Sequence, residues 1–465
     1  MSEKRRPLRF WDLAFYAAAM GFSIRWLAQA AAAGPASLPL WVLAMAGFMI
    51  PLVVTTAELV GRYPGESGLY GWTRRMLGPF AGFLTGWLYW TCNLPFFSGL
   101  LYFILGVLAA AAGPGARHAL ADPWLFAGLA SALAVMVGAA HLMGLGAGKW
   151  LTNLGAAAGC LLLVALVAIG LALGFSHGPA TDFARASYAP PLTADGAALW
   201  ATMVFAFGGP EALAFLSDDV EGGVRQILRV LAVVGTLIVL AYLAGTAAML
   251  TILRPEDASR LSGIPDALTL AFSRLGLGSL GPAALILLGA TMLGGYSAWF
   301  GVAARLPFVI GVDHYFPAVF AARDPRTGAP TTAIVFQVVA VVFLVILGQA
   351  GASVKAAYDF LVSMSVISYT LPFVFLFLSY FVVRGETAGG VWVAPGGARG
   401  RRLIACVGLA VTTSAIACTL VPSPEAADKP GAVVKLVVAS ALLIAVGIVI
   451  YWQAGRRRTA EAAAP

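Results

Sequence analysis

Apolar runs of about twenty residues recur along the chain from Trp11 to Trp452, with hardly a charge inside them. A helix needs about 20 residues to cross the roughly 30 Å of hydrocarbon in a bilayer. In that medium every backbone N–H and C=O has to be satisfied within the segment, so such runs are read as spanning helices. The pattern places spans at 11–33, 38–60, 79–112, 124–143, 151–174, 197–217, 228–251, 282–309, 331–349, 357–382, 402–421 and 432–452. The expected fold class is therefore an all-α integral membrane protein of about twelve transmembrane helices. Composition agrees, since 60% of the 465 residues are hydrophobic and 11% are charged, against about 25% charged in soluble domains.

The net charge of +8 would suit a nucleic-acid partner, but the basic residues lie in short tracts between the runs, such as "EKRRPLR" and "GRRR". That placement sets topology, and no nucleic-acid partner is expected. An even number of spans puts both ends on one side. Lys and Arg number 20 on that side and 8 on the other, with Arg25 inside span one. The positive-inside rule then gives a multi-pass protein of the plasma (inner) membrane with both termini, 1–10 and 453–465, in the cytoplasm. The bilayer is its standing partner; the oligomeric state is left open.

Several local patterns carry little chemistry. Cys92, Cys160, Cys406 and Cys418 fall in apolar segments with no CxxC, and read as small core residues. "GLGSLG" (Gly276 to Gly281) matches a dinucleotide fingerprint, but no strand precedes it. "GFLTG" (Gly82 to Gly86) reads as close helix packing. His141 ends span four, with interfacial packing the plain reading and proton carriage the sharper one. Glu58 in "TAEL" reads as a structural or gating residue at the inner end, and "SDDVEGG" as a solvated acidic turn. The spans hold no Ser/His, HExxH or paired-aspartate constellation, so no enzyme, cofactor or metal site is expected.

The informative irregularities are two. Span six contains "FAFGGPEALAFL" (Phe205 to Leu216). Gly208 and Gly209 weaken the helix, and Pro210 removes a donor while suiting the first position of a new helix. Glu211 then falls in a first turn, where the helix dipole favours a carboxylate. The expectation is two half-helices with a joint at Phe207 to Gly209. Span one carries Gly21, Ser23 and Arg25 in "AAMGFSIRWLA", and an arginine at the bilayer centre costs about 2.5–3.5 kcal/mol on insertion scales. Interrupted first and sixth spans, five helices apart, match an inverted five-helix repeat with a midplane site suited to a zwitterion.

Four stretches make the chain resemble the amino acid–polyamine–organocation (APC) superfamily of amino acid permeases, with its LeuT-type fold. They are "AELVGRYPGESGLYGWTRRMLGPFAGFLTGW" (Ala57 to Trp87), "FAFGGPEALAFLSDDV" (Phe205 to Val220), "AWFGVAARLPFVIGVDHYFP" (Ala298 to Pro317) with "DPRTGAPTTA" (Asp324 to Ala333), and "AAAAGP" (Ala30 to Pro35). The resemblance implies a 5+5 inverted repeat with broken helices one and six. The core would be 11–382, as repeats of about 11–174 and 197–382, with two further helices in 402–452. It implies a secondary active transporter of amino acids or related amines working by alternating access. Cation-coupled uptake is the leaning, with exchange and a non-transporting sensor as the alternatives. Two positions depart from the pattern: only Gly21 remains of the glycine-rich break in helix one, and the lysine of proton-coupled relatives is replaced by Gly159.

The expected substrate-binding residues are Gly21, Phe22, Ser23, Arg25, Phe205, Phe207, Gly208, Gly209 and Glu211. Trp26, Phe207 and Tyr296 are the expected gate, and Ser23 with Ser297 the expected site for a coupling Na+, H+ being the other candidate ion. Arg25 and Glu211 either pair with each other or meet substrate, and the sequence leaves both open.

Overall fold

A computed structural model of the chain describes residues 9–63, 68–258, 263–307, 314–349, 354–383, 392–421 and 429–462; the side chains at 145–147, 195, 216–219, 349, 354–359, 429, 432 and 457–462 lie outside the description. Residues 1–8, the 64–67 part of the span two to three signature and the 308–313 part of the span eight stretch therefore lie outside it as well. Among the described residues the architecture is all helix, with no strand. Eleven helices among the described residues are long and apolar enough to cross a membrane, from Gly34–Arg62 to Val433–Arg456. The expected first span is the twelfth. It is divided into Phe10–Gly21 and Arg25–Ala32, of 12 and 8 residues, each too short to cross alone.

Several helices overrun the expected bounds. The fifth runs Leu145–His177 and the last Lys429–Ala462. Three connections expected to be loops hold helices of their own, Gly68–Leu77, Pro114–Ala119 and Gly263–Arg274. The first buries Leu69, Tyr70 and Trp72 while presenting Arg74 and Arg75, a one-sided pattern that a search for twenty-residue apolar runs passes over.

Prolines account for two distortions. Pro51 has no N–H to donate to Gly47, and the turn before it, Met45–Met49, is wound as a π-helix. Pro95 likewise cannot donate to Thr91, and the third span divides there into Pro79–Thr91 and Asn93–Ala112. Glycines set the closest helix contacts. A Cβ on Gly155 of span five would lie 2.4 Å from the Gly294 Cα of span eight, and one on Gly82 would lie 2.4 Å from the Arg74 Cβ. Small residues at such crossings let backbones approach and gain packing that lipid cannot supply. Of the cysteines, Cys92 is buried but Cys160 and Cys406 are exposed. The core expectation therefore fails for those two, because a bilayer lets small apolar side chains face outward.

A buried ionic cluster ties the eleventh span to the rest. Glu58, fully buried in span two, accepts from Arg62 Nε at 2.7 Å and Arg401 at 3.1 Å through one oxygen. Its other oxygen accepts from Tyr380 Oη at 2.7 Å and the Ala394 N–H at 2.9 Å. Arg401 also donates to the Val383 carbonyl at 3.1 Å. Spans two, ten and eleven thus meet on one carboxylate. Removing one member of a buried pair typically costs about 3–5 kcal/mol, whereas replacing both with apolar groups can be neutral. Glu58→Leu should therefore melt well below wild type in detergent, and Glu58→Leu with Arg401→Leu should recover part of the loss. A double variant no more stable than the single one would show that the cluster does not hold these spans.

Candidate functional site

Both interruptions fall at glycine, joined by a proline in span six. The first helix of span one stops at Gly21, Phe22 is extended (φ −121°, ψ 129°), and the second helix starts at Arg25. Span six runs as Ala194–Ala206, breaks through Phe207, Gly208 and Gly209, and restarts at Pro210. The restart is a 3-10 helix, Pro210–Asp219, rather than the expected α-helical half. At about 2.0 Å per residue it covers more distance per residue than the 1.5 Å of an α-helix, so a short segment reaches farther across the bundle.

The two breaks touch backbone to backbone. Gly209 has φ +123°, and a Cβ there would lie 2.7 Å from the Met20 carbonyl oxygen and 3.0 Å from the Gly21 Cα. Only glycine satisfies both the torsion and the contact. Backbone groups released by the breaks are taken up by side chains from other spans. Tyr242 Oη, on span seven, accepts from the Ser23 N–H at 3.2 Å and donates to the Ala206 carbonyl at 3.1 Å, so one hydroxyl bridges both breaks. Trp299 Nε1, on span eight, donates to the Met20 carbonyl at 3.1 Å. Irregular backbone at membrane depth persists only where it is satisfied or lines a cavity, and here both hold.

The two buried charges have separate surroundings. Glu211 is fully buried. One oxygen accepts from Tyr89 Oη at 2.7 Å and Tyr369 Oη at 2.5 Å, and the other from the Gly209 N–H at 2.8 Å. Its hydrogen bonds come from these groups and not from Arg25. The Arg25 guanidinium, 2% exposed, sits 4.0 Å from the Trp26 ring centroid and 4.9 Å from that of Phe96.

A cavity of about 660 Å³ opens beside the breaks, within the range of about 300–1,000 Å³ usual for small-molecule sites. Of the residues expected at the site, Gly21, Phe22, Ser23, Trp26, Phe205 and Gly208 line it. Phe207, Gly209, Glu211 and Arg25 stand behind its wall. Phe207 packs edge-on against Trp41 and Tyr242, and Glu211 is screened by Tyr369, whose ring lies against Gly208. Phe96, Tyr242, Trp299 and Tyr369 also line the cavity. Sequence reasoning missed them, and their one signal was a polar-tipped or aromatic ring inside an apolar run. From the breaks the cavity continues between spans five and seven toward exposed Val164, Leu171 and Leu237.

Three expected residues lie elsewhere. Tyr296 packs on Phe97 and Phe300 and does not line the cavity; Trp299, one turn on, does. Ser23 and Ser297 are not brought together. Ser23 Oγ faces Met292 Sδ at 3.9 Å, whereas Ser297 donates to the Gly148 carbonyl at 3.2 Å and meets His141 Nε2 at 3.1 Å. Met292 and Ser297 are five positions apart along one helix, which spreads the two serines along the span axis. His141, at the end of span four, is buried against span eight. Near the chain's N-terminal end, Lys149 pairs with Asp12 at 2.6 Å and Arg9 with Glu221 at 3.3 Å.

Alanine at Gly209 carries a torsional penalty of about 1–3 kcal/mol and a collision with the Met20 backbone. Gly78 has φ +97° with nothing within 4 Å of a Cβ, so alanine there carries the strain alone. Gly209→Ala should lower the melting temperature clearly more than Gly78→Ala; equal losses would show that the contact between the breaks adds nothing.

A family model described as amino acid permease matches residues 8–450. An uncharacterized transporter of Legionella pneumophila is 25% identical over 437 residues, covering 91% of this chain and 92% of that protein. A probable agmatine/putrescine antiporter of Lactococcus lactis is 20% identical over 361 residues, covering 77% and 75%. An uncharacterized transporter of Mycobacterium bovis is 26% identical over 393 residues, covering 82% and 78%. Among solved structures, MhsT in complex with L-phenylalanine aligns over 94% of this chain and 98% of its own, at 17% identity and a TM-score of 0.54. The fold is thus of the LeuT type, and the chain belongs to the amino acid permease family of the APC superfamily.

Proposed function

We propose that the protein is a secondary active transporter that takes up amino acids or closely related amines by alternating access, with substrate bound in the cavity beside the two breaks. The observation that carries this reading is the backbone contact of Gly209 with Met20 and Gly21 at the edge of a cavity of about 660 Å³. Two short helices that meet end to end can separate or tilt without unwinding a continuous span, so access can change on either side of one fixed site. The amino acid in the MhsT complex is consistent with a small-molecule occupant. The excess of Lys and Arg on one side supports a plasma (inner) membrane orientation with both ends cytoplasmic.

For coupling, the arrangement favours a proton at Glu211 over a sodium ion between Ser23 and Ser297, since those hydroxyls are engaged with different partners. Glu211 receives only donors, an arrangement that suits the ionised carboxylate. A protonated carboxyl becomes a donor itself, so one tyrosine hydroxyl would have to turn away. Tyr369 is one of the two and also forms cavity wall, which links the proton to the site. Exchange is the second reading, favoured by the distant Lactococcus lactis relative described as an antiporter.

Purified protein in liposomes, offered a panel of radiolabelled amino acids and polyamines, tests this. The expected result is accumulation driven by an inward proton gradient. Glu211→Gln should lose that accumulation by at least tenfold while retaining counterflow against internal substrate. Accumulation that follows sodium instead would overturn the role given to Glu211. Movement only against internal substrate would establish an exchanger. No movement under any gradient, with a ligand still raising thermal stability, would make the protein a sensor.

A further inference from the structure

The cavity divides into two regions of different chemistry. Ser23 lies within one break, and Tyr242 and Tyr369 touch the other at Ala206 and Gly208. Away from the breaks the lining changes. Apart from Tyr242, no described lining residue of spans five and seven carries a side-chain nitrogen or oxygen. A buried water needs about three polar partners, and these side chains offer it none. The same lining faces outward. On span five Cys160, Val164, Ala168 and Leu171 line the cavity and are exposed, at the i, i+4, i+8, i+11 spacing of one helix face. On span seven Leu237, Leu240 and Ala244 do the same. Both rows lie inside segments long and apolar enough to cross a membrane, so the medium they meet is hydrocarbon. The two spans touch through small residues, since a Cβ on Gly170 would lie 2.8 Å from the Ala248 Cβ. The rows therefore border a narrow groove along a packed seam, and the groove opens into the cavity.

We propose that this groove holds one acyl chain of a bilayer phospholipid, entering between spans five and seven with its end beside Gly21 and Phe22. The length fits. From Cys160 to Leu171 the helix rises about 16 Å. One leaflet of a hydrocarbon core about 30 Å thick holds chains of about 15 Å. The inner end of the groove is at the breaks. A Cβ on Gly21 would meet Ile238 Cδ1, next to Leu237, at 2.6 Å. One on Gly159, next to Cys160, would meet Thr291 Cγ2 at 2.9 Å, one residue before the Met292 that faces Ser23. Lys149, near the start of span five, pairs with Asp12, so Leu171 lies toward the opposite leaflet and the lipid belongs to that leaflet. A chain already in hydrocarbon gains packing rather than escape from water, through many weak contacts with an apolar wall. No described Lys or Arg lines the groove, so shape and not headgroup selects the lipid. If the cavity is also the substrate site, as proposed above, substrate and chain end compete for the space beside the breaks. That consequence rests on the earlier reading; the lipid site does not.

Photo-crosslinking in phosphatidylcholine vesicles tests the site directly. A trace of phosphatidylcholine carries a diazirine on one palmitoyl chain, either at its far end or beside the ester, and labelled peptides are mapped by mass spectrometry. The far-end probe should label Ala18 to Phe22, and the near-ester probe Ala168 to Leu171. Ala168→Trp with Ala244→Trp fills the groove at two small exposed residues and should cut far-end labelling of Ala18 to Phe22 at least fivefold. Leu161→Trp with Val233→Trp, at exposed residues that do not line the cavity, should leave it unchanged. If the filled variant does not fold, the positions marked by the two probes on wild-type protein decide the matter. The inference is overturned if the far-end probe marks only the exposed rows and never Ala18 to Phe22. It is also overturned if filling the groove changes nothing, or if the near-ester probe marks Trp11 to Phe15 in place of Leu171. Repeating the far-end labelling with an excess of each amino acid or polyamine of the uptake panel separates the two readings. Protection of Ala18 to Phe22 by a transported compound supports both. Labelling that a transported compound leaves untouched keeps the lipid site and removes substrate from this cavity. Transport without any labelling at the breaks does the reverse.

Discussion

The contact between two interrupted backbones is the feature on which the rest of the molecule depends. A helix that stops inside a bilayer leaves N–H and C=O groups without partners, and hydrocarbon offers none. Spans one and six stop at the same place, and side chains of neighbouring spans and of span six itself supply what is missing. Tyr242 serves the Ser23 N–H and the Ala206 carbonyl, Trp299 serves the Met20 carbonyl, and Glu211 serves the Gly209 N–H. The glycine at 209 is required by torsion and by proximity at once, so the site and the fold share one constraint.

The ionisable groups of the interior follow a common rule in different settings. Glu58 is surrounded by two arginines, a tyrosine and an amide, and joins three spans into a fixed unit. Glu211 is surrounded by tyrosine hydroxyls and an amide. The first carboxylate has positive charge in contact and belongs to the frame. The second is held by neutral donors next to the cavity wall, where a change in its charge would be felt. Arg25 packs against the ring faces of Trp26 and Phe96, which attract a cation.

Much of this architecture is legible in the residues themselves. The twelve spans follow from the length and apolarity of the runs, and the interruptions from Gly21, Gly208, Gly209 and Pro210. The family resemblance is carried by motifs spread in order over residues 30–333. Less is legible at the site. Tyr296 was expected at the gate, but Trp299 holds the wall, because one turn of a helix decides which neighbour a ring meets. Ser23 and Ser297 have the right chemistry for a cation, yet each bonds to a different neighbour. The helix Gly68–Leu77 escapes a hydropathy search because it is short and only one face is apolar.

The division has a physical cause. What the chain encodes locally, hydropathy over one span or a torsion preference at one glycine, needs no partner and can be read from the residues alone. The amino-acid sequence therefore determined a multi-span helical bundle with breaks in helices one and six. The partners of Glu211, by contrast, lie 122 and 158 residues away along the chain, and Tyr242 lies 219 residues from the Ser23 amide it accepts from. Each such contact depends on the rotation and depth of two helices packed by small residues. Only the tertiary structure decided that the two buried charges stand apart, one under tyrosine hydroxyls and the other over aromatic rings.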